Sequence, residues 1–505
     1  MNTEREHGPA PVAFRPLGEV MDAVAALAEQ AILTVTGPVQ AELAQIRDAL
    51  REPVRIAVAG RVNAGKSTLV NALVGQLVAP TDVSECTKMV TWYRYGSPQR
   101  LEIVLRDGTR RRERLGPGGS IPSGLGIKHQ DVHYLEVWLA NETLRSMTLI
   151  DTPGLGSLNT DYSAATEELL MLGQASTEAM AVADAMVFIF NSDVRADEVA
   201  ALRAFRESSG GLGGAVGNAI GVLTKADKLS SGPGWWDVAQ RAAKRMAEQL
   251  GDDTVTVLPV VGKVAQTTQA AQLTEPDATQ LENLATMDEA DLQLLFVSTT
   301  QFVQGMSPVP AQARQRLVDL LDPQGVSAAI ELIREGVTHA APLREALAKR
   351  SGIEALSKVI DDTFRGKGEA FKIRSALHAI ERLCSVPYTD PNAAALRGLA
   401  EQSELLQLSP LLHRLAENEA LALSVAGAVT LPDELAEDVR RIAGGLTPAE
   451  QLDLPDADPA ALRQAVLAGN ARWRTALVAP SPAQARIAQV IRRSYALAYQ
   501  QTDQP

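Results

Sequence analysis

Apolar residues recur along the chain with two different spacings, and the change of spacing divides the sequence into segments. From residue 18 to about residue 50 they recur at helical spacing, with an interruption at Gly37-Pro38, which predicts one long or two shorter helices. From Val54 short apolar runs alternate with amphipathic stretches, the pattern of a parallel sheet covered by helices. The runs that predict this parallel sheet are residues 54–59, 147–150, 185–190, 220–223 and 255–261. Between them, residues 88–96 and 100–106 are also predicted strands, with a hairpin turn at Asp107-Gly108.

After about residue 265 the strand signals disappear and helical patterns continue towards the end of the chain. The spacing Ser351-x-x-Glu354 matches a capping box, and Ile353, Leu356 and Ile360 form the apolar face of the helix predicted after it. The predicted fold class is therefore α/β plus all-α. Its four parts are a disordered segment at 1–16, N-terminal helices at 17–52 that join a helical bundle, an α/β domain at 53–265, and an elongated helical body at 266–505.

Composition narrows the class of protein. The 505 residues allow two to four domains, and 46% hydrophobic with 22% charged residues is typical of a soluble globular protein. A formal net charge of −13 argues against a general nucleic-acid binder, and contact with an anionic membrane would need a local basic or apolar patch. The two cysteines, Cys86 and Cys384, suit a reducing compartment without a disulfide framework.

Targeting signals are not evident in the sequence. The first residues lack the charged-then-apolar layout of a signal peptide, and no stretch reaches the roughly 18–20 apolar residues of a spanning helix. We therefore expect a cytoplasmic protein.

The string GRVNAGKS at residues 60–67 fits the phosphate-loop pattern G-x-x-x-x-G-K-[ST], and it lies between a predicted strand and a helical pattern, as that motif requires. Backbone N–H groups of the loop would surround the phosphates, Lys66 would neutralise the β and γ oxygens, and Ser67 would hold Mg²⁺. The predicted nucleotide-binding residues here are Gly60, Asn63, Ala64, Gly65, Lys66, Ser67 and Thr68.

A second string, TKAD, indicates which base is bound. Asp227 can accept both hydrogen bonds from the N1–H and N2–H₂ edge of guanine, which adenine lacks, and Thr224 and Lys225 precede it. A further guanine-contacting segment is predicted at Val261, Gly262 and Lys263, which stand where Ser-Ala-Lys is usual. Together with the phosphate loop these strings predict a Ras-like P-loop GTPase domain that binds GTP and GDP.

The string DTPG predicts the γ-phosphate end of the site. Asp151 closes a predicted strand and would hold Mg²⁺, and Gly154 can present its N–H to the γ-phosphate; a lone DTPG would also suit a surface turn. Thr87 is the preferred switch I threonine, which would offer its hydroxyl to Mg²⁺ and a backbone group to the attacking water, and Thr81 is the alternative. The predicted catalytic residues are Asn63, Lys66, Thr87 and Gly154, and the predicted metal ligands are Ser67, Thr87 and Asp151.

The residue that orients the attacking water is not evident. Leu155 follows DTPG where small signalling GTPases carry a glutamine, so slow intrinsic hydrolysis is expected. Asn63 occupies a loop position where some GTPases use an asparagine to hold K⁺ beside the phosphates, although it could simply brace the loop. Arg61 could act in trans across a dimer, or it could face solvent.

Two GTPase classes share these motifs. The phosphate loop resembles GRPNxGKS of the Era-like and tRNA-modification GTPases, but the chain offers no convincing RNA-binding module and no C-terminal reactive cysteine. Helices before the GTPase domain, a long helical body after it, and the P-T-x-x-x-x-x-T string at residues 80–87 resemble the dynamin-like superfamily. Residues 79–92 and 350–364 look like segments of the actinobacterial isoniazid-inducible dynamin-like proteins.

This resemblance runs from about residue 55 to near residue 380 and implies a dynamin-type GTPase domain flanked by a helical neck and trunk. It also implies dimerisation through GTPase domains, membrane remodelling, peripheral association with the inner face of the cell membrane, and a sister dynamin-like GTPase as partner, with no nucleic-acid partner. Val62 stands where dynamins proper place a glutamine, so their water-positioning role is not carried over. The alternative is an Era-like switch in RNA modification or ribosome assembly.

Two apolar segments could contact lipid if the family resemblance extends to membranes. They are residues 405–412 (LLQLSPLL) and residues 420–431, each near a predicted helix junction. Both could equally be ordinary core of the helical bundle.

Overall fold

The computed structural model shows two compact units, which we name by their content. The sheet unit comprises residues 53–209 and 217–365, and the helical unit comprises residues 1–52, 210–216 and 366–505. Within them the structure describes residues 17–80, 89–122, 124–128, 131–154, 179–180, 182–208, 218–226, 229, 235–365, 368–385, 387, 390–425, 429–445, 447–475 and 481–502.

Strands occur only in the sheet unit among these residues. The strands are β1 (Val54–Gly60), β2 (Thr91–Tyr95), β3 (Arg100–Leu105), β4 (Arg110–Glu113), β5 (Val132–Leu139), β6 (Met147–Asp151), β7 (Ala185–Phe190), β8 (Ala219–Thr224) and β9 (Val257–Val260).

Helices occur in both units. They are α1 (Gly18–Ile32), α2 (Pro38–Arg51), α3 (Lys66–Val74), α4 (Ala196–Ser208), α5 (Trp235–Leu250), α6 (Gly262–Gln269), α7 (Glu275–Ala285), α8 (Glu289–Leu295), α9 (Thr299–Gln304), α10 (Ala311–Arg334), α11 (Ala340–Ser351), α12 (Ile353–Ile360), α13 (Gly368–Cys384), α14 (Ala393–Gln407), α15 (Pro410–Val425), α16 (Asp433–Gly444), α17 (Pro448–Gln451), α18 (Pro459–Thr475) and α19 (Pro482–Thr502).

The described strands form a single mixed sheet in the order β4-β3-β5-β2-β6-β1-β7-β8-β9. Five neighbouring strands of this sheet are parallel, as predicted, namely β6, β1, β7, β8 and β9. Of these, β7 and β8 are buried along their whole length. Parallel strands covered on both faces carry continuous apolar runs, which explains why the hydrophobic pattern locates them. The carboxyl ends of β1, β6 and β8 therefore meet at one edge, where the phosphate-loop, DTPG and TKAD strings begin.

The other four strands lie outside that predicted parallel set, and they join the sheet in both directions. β2 runs parallel to β5 but antiparallel to β6, and β3 runs antiparallel to both β4 and β5. The turn at Asp107-Gly108 closes the β3–β4 hairpin, with Asp107 Oδ1 accepting a hydrogen bond from Thr109 N at 2.8 Å. β5 was not predicted, because its Glu136 is a poor strand-core residue that becomes buried only through ion pairs with Arg94 and Arg110.

The sheet unit extends about a hundred residues beyond the predicted boundary at residue 265, because helices α6 to α12 pack with it. Val261 and Val264, just after β9, share one apolar core with α7, α10 and α11. Val261 N donates a hydrogen bond to Ser351 O at 2.9 Å, and a Cβ on Gly352 would lie 2.2 Å from Pro259 O. These contacts tie the end of the sheet to the α11–α12 junction, so the helical segment that starts at 266 is not one body.

The helix predicted after Ser351 is present as α12, and its face of Ile353, Leu356 and Ile360 is buried. The capping box is not formed. Gly352 adopts a left-handed conformation (φ +81°), and Ser351 Oγ accepts from Ile353 N at 3.3 Å instead.

The helical unit groups α1 and α2 with α13 to α19 around two apolar cores. The first core joins α1, α2, α13, α14 and the start of α15, and the second joins the end of α15 with α16 to α19. Among the described residues, no helix is long and apolar enough to cross a membrane.

The two apolar segments considered for lipid contact differ in exposure. In residues 405–412, Leu405 and Leu408 are 68% and 66% exposed, whereas Leu412 is packed in the first core. In residues 420–431, the described apolar side chains lie in the second core, namely Ala420, Leu421, Val429 and Leu431. Among the described residues of the two segments, the largely exposed leucines are therefore Leu405 and Leu408 of the first.

Candidate nucleotide site

The phosphate loop joins β1 to α3 and requires glycine at two positions. Gly60 has φ +150°, and a Cβ there would lie 2.7 Å from Ile189 O on β7. Gly65 has φ +94° and immediately precedes α3. Asn63 also has a positive φ (+59°), which asparagine tolerates better than most residues. The loop between the buried strand β1 and the N-terminus of α3 thus has positive φ at three positions.

Lys66 lies inside this loop and is 8% exposed. Its Nζ donates to Arg61 O at 2.9 Å and is 3.3 Å from Gly60 O. Burial lowers the pKa of Lys66, and the charge of Asp151 opposes that shift. The ammonium group is therefore held at the mouth of the loop by backbone carbonyls.

Ser67 and Asp151 meet beside Lys66. Ser67 Oγ donates to Asp151 Oδ2 at 2.9 Å, because the end of β6 lies next to β1 in parallel register. Asp151 is 9% exposed and its Oδ1 has no hydrogen-bond partner. Burial raises the pKa of Asp151 to about 6, against the opposing effects of Lys66 and Ser67. A buried carboxylate oxygen without a donor, next to a hydroxyl, is the hard oxygen set that suits Mg²⁺.

Gly154 packs directly on the phosphate loop. A Cβ on Gly154 would lie 2.6 Å from Val62 Cα and 2.7 Å from Val62 N. Thr152 anchors the start of this segment, with its Oγ1 donating to Val58 O at 2.9 Å. Only glycine fits here, because a Cβ would meet the backbone of Val62, so the DTPG backbone lies against the loop.

Thr224 and Lys225 contact the same loop from the end of β8. Thr224 Oγ1 donates to Ala64 O at 2.7 Å, and Lys225 Nζ donates to Asn63 O at 2.8 Å. Both bonds go to loop carbonyls, so these side chains support the loop in addition to leading into the base-recognition string.

The segment Val261, Gly262 and Lys263 lies at the start of α6, beside the first turn of α3. A Cβ on Gly262 would lie 3.5 Å from Thr68 Cγ2. The structure therefore brings together the loop, DTPG, Thr224, Lys225 and this segment. Thr87 and Asp227, together with Thr81 and Leu155, lie outside the described residues.

Two features of the site were not evident from sequence. Arg61 forms an ion pair with Asp197 on α4, with Nη1 and Oδ2 at 2.6 Å, rather than facing solvent alone. Asn71, in the middle of α3, is buried and fully hydrogen bonded. The sequence does show Asn71 among apolar residues of a predicted helix, and this could have indicated its burial. No sequence pattern links Arg61 to Asp197, which lies 136 positions later.

Comparison with known proteins identifies the family. Residues 56–226 match the dynamin family model. The chain is 34% identical over 448 residues to isoniazid-induced protein IniC of Mycobacterium tuberculosis (strain ATCC 25618 / H37Rv). This match covers 87% of this chain and 88% of that protein. The chain belongs to the dynamin family.

Two other matches complete the comparison of this dynamin-family chain. One chain of a solved structure, described as an oligomerised bacterial dynamin pair in long-range sensing and tethering of membranes, is 14% identical; the match covers 96% of this chain and 90% of that one, with a TM-score of 0.34. GTPase Der of Mesorhizobium japonicum is 43% identical over 68 residues, 13% of this chain and 14% of that protein. The chain is thus a bacterial dynamin-like GTPase with a mixed sheet and many helices.

Proposed function

We propose that this dynamin-family GTPase binds guanine nucleotide with Mg²⁺ at the phosphate loop and hydrolyses GTP to GDP and phosphate. The observation that carries the proposal is the contact of Ser67 with Asp151, whose second carboxylate oxygen is buried without a donor beside Lys66. Bound Mg²⁺ would supply positive charge to the β and γ oxygens.

Each residue near the loop has one task in this proposal. Lys66 balances the phosphate charge, Ser67 and Asp151 hold Mg²⁺ together with Thr87, and Gly154 offers its N–H to the γ-phosphate. Asp227 accepts from the guanine edge, and Val261 to Lys263 border the base. The support is that loop, DTPG and the α6 segment lie at one edge of the sheet.

Water activation has two candidate sources in this proposal. Asn63 could hold K⁺ beside the phosphates, or an arginine could arrive from a second molecule when GTPase domains dimerise. Arg61 would first have to leave Asp197 to serve in trans. Turnover per molecule should rise with protein concentration in the second case, and on replacing Na⁺ by K⁺ in the first. Turnover that responds to neither change would contradict both sources.

Base selectivity tests the nucleotide assignment. Calorimetry should show GTP binding far more tightly than ATP, by about 10⁴-fold, because a site built to bond one edge rejects a base that lacks it. Asp227→Asn should shift the preference towards xanthosine nucleotides. Equal affinity for ATP and GTP in the parent would reject the proposal.

We further propose dimerisation through GTPase domains, pairing with a sister dynamin-like GTPase, and peripheral binding to the inner face of the cell membrane, where the protein remodels lipid. Membership of the dynamin family supports these roles. The exposed pair Leu405 and Leu408 offers apolar surface for lipid. Two leucines contribute at most about 1.5–3 kcal/mol each, so one molecule should bind weakly and an assembly firmly.

Liposome co-sedimentation tests the lipid contact. The double variant Leu405→Asp, Leu408→Asp should lose binding to anionic vesicles while it stays folded, since both side chains are already exposed. Leu467→Asp is the control, because Leu467 is 58% exposed elsewhere in the same unit. If the double variant binds vesicles as well as Leu467→Asp and the parent do, the lipid contact lies elsewhere.

An Era-like switch in RNA modification or ribosome assembly is the second candidate. The phosphate-loop string GRVNAGKS favours it, whereas the similarity to IniC over 448 residues favours the dynamin-like function. A parent that hydrolyses GTP but sediments with no vesicle composition would favour this second candidate.

A further inference from the structure

Asn71 is a buried polar side chain that the proposed mechanism does not use. It lies on α3, five residues after Lys66, and is 1% exposed between the buried residues Val70 and Ala72. An amide in such a position is costly unless its polar atoms are bonded. Its bonding partners therefore indicate what it is for.

All four hydrogen-bonding positions of this amide are used. Its Oδ1 accepts from Val78 N at 2.9 Å and from Ala79 N at 2.7 Å. Its Nδ2 donates to Ala79 O at 2.9 Å and to Gln266 Oε1 at 3.3 Å. An asparagine carries two donor hydrogens and two acceptor lone pairs, so this one is saturated and its orientation is set.

Gln266 is buried as well, at 5% exposure, on α6. α3 begins directly after the phosphate loop, and α6 begins at Gly262 in the segment assigned to the guanine base. The two helices also approach at Gly75, where a Cβ would lie 3.4 Å from Gln269 O. The amide pair thus joins a helix that starts at the phosphate end to one that starts at the base end.

We propose that Asn71 and Gln266 are positioning residues that keep the two ends of the nucleotide site in register and tie both ends to the backbone of Val78 and Ala79. The inference rests on the proposed guanine-nucleotide site. Val78 and Ala79 directly precede the segment in which the sequence places the γ-phosphate threonine. A displacement of α6, the helix that starts beside the guanine base, is therefore transmitted through the Asn71 side chain towards the γ-phosphate.

The variant Gln266→Met tests this proposal, because methionine has a similar volume but offers Asn71 Nδ2 only a weakly accepting thioether sulfur in place of the amide oxygen. The measurement is the ratio of the affinities for a non-hydrolysable GTP analogue and for GDP, by calorimetry on the full chain. We expect the ratio to fall about 5-fold or more, the lower range of measured couplings between linked sites. Asn71→Ala, which removes all four bonds, should lower it further; if that variant does not fold, Gln266→Met decides.

The matched control is Thr267→Val on the same helix. Thr267 is also fully buried and its Oγ1 donates to Leu320 O, away from Asn71. It should lower thermal stability as much as Gln266→Met while leaving the affinity ratio within about 2-fold. An unchanged ratio in Gln266→Met, or an equal fall in Thr267→Val, overturns the inference. A parent that binds no guanine nucleotide rejects the proposed function itself.

Discussion

Two buried aspartates, one in each unit, have opposite surroundings. Asp438 on α16 is 4% exposed and accepts hydrogen bonds from Tyr495 Oη at 2.9 Å, Trp473 Nε1 at 3.0 Å and Arg472 Nη2 at 2.9 Å, with Arg441 also in contact. Asp151 is 9% exposed, yet it accepts from Ser67 alone at Oδ2 and from no group at Oδ1.

The difference separates a structural carboxylate from a binding carboxylate. Donors from three helices surround Asp438, and Tyr495 lies against Gly469, where a Cβ would be 2.3 Å from Tyr495 Cζ. Burial, and then the charge of Asp438, raises the pKa of Tyr495 to about 12. Asp151 has only Ser67 as a donor, and burial raises its pKa against the opposing effects of Lys66 and Ser67. Removing a carboxylate such as Asp438 leaves its buried donors unpaired, whereas a buried carboxylate oxygen that has no donor, as in Asp151, can bind a cation.

The largest expected effect is on the structural side of this comparison. Asp438→Ala leaves the Tyr495, Trp473 and Arg472 donors without their acceptor, so the free energy of unfolding should fall by about 3–5 kcal/mol in urea titration. Glu434→Ala, an exposed substitution on the same helix, should change it by less than about 0.5 kcal/mol. A small change in Asp438→Ala would mean that this network is not a structural anchor.

Next in size is the loss of nucleotide binding in Lys66→Ala. GTP affinity should fall at least about 100-fold, because the charge opposite the β and γ phosphates is removed. The unfolding free energy without nucleotide should not fall, since burial already disfavours the charged form of Lys66. Lys349→Ala, an exposed lysine paired with Glu345, is the control for both measurements. Unchanged GTP affinity in Lys66→Ala would contradict the site.

The third effect is a pH dependence that Asp151→Asn should remove. Burial raises the folded-state pKa of Asp151 above its ordinary value to about 6. The folded state therefore keeps this proton at pH values where the unfolded state has already lost it. Stability without Mg²⁺ and nucleotide should therefore fall as pH rises from about 4 to about 6, by about 2 kcal/mol, and then level off. The difference between parent and Asp151→Asn in urea titrations at several pH values isolates this contribution. Parallel curves would contradict it.

The smallest expected effect concerns the contact between Gly154 and the loop. Gly154→Ala places a Cβ against the backbone of Val62, so GTP turnover should fall by about 10-fold or more through misplacement of the γ-phosphate end. GDP affinity should change little. Val62→Gly should not restore turnover, because the close atoms include Val62 N and Cα. Gly124→Ala, where a Cβ meets nothing within 4 Å, is the matched control.

The sequence by itself determined the parts of the protein that depend on contiguous residues. The phosphate loop, the DTPG string and strands β1, β6, β7 and β8 were located from local patterns, because each buried parallel strand is an unbroken apolar run followed by its own motif. The helix at α12 was located for the same reason, from the spacing of Ile353, Leu356 and Ile360. The family resemblance also rested on contiguous strings, at residues 79–92 and 350–364.

Tertiary structure alone decided the features that join residues far apart in the chain. β5 pairs with β2 and β3, and its Glu136 is buried in ion pairs with arginines of β2 and β4. The sheet unit extends to about residue 365, where contacts such as the bond between Val261 and Ser351 span ninety positions. The pairing of Asn71 with Gln266 and the burial of Leu412 beside exposed Leu408 depend likewise on which helices become neighbours. Local periodicity records which face of an element is apolar, but the partner that covers that face is set only when the chain packs.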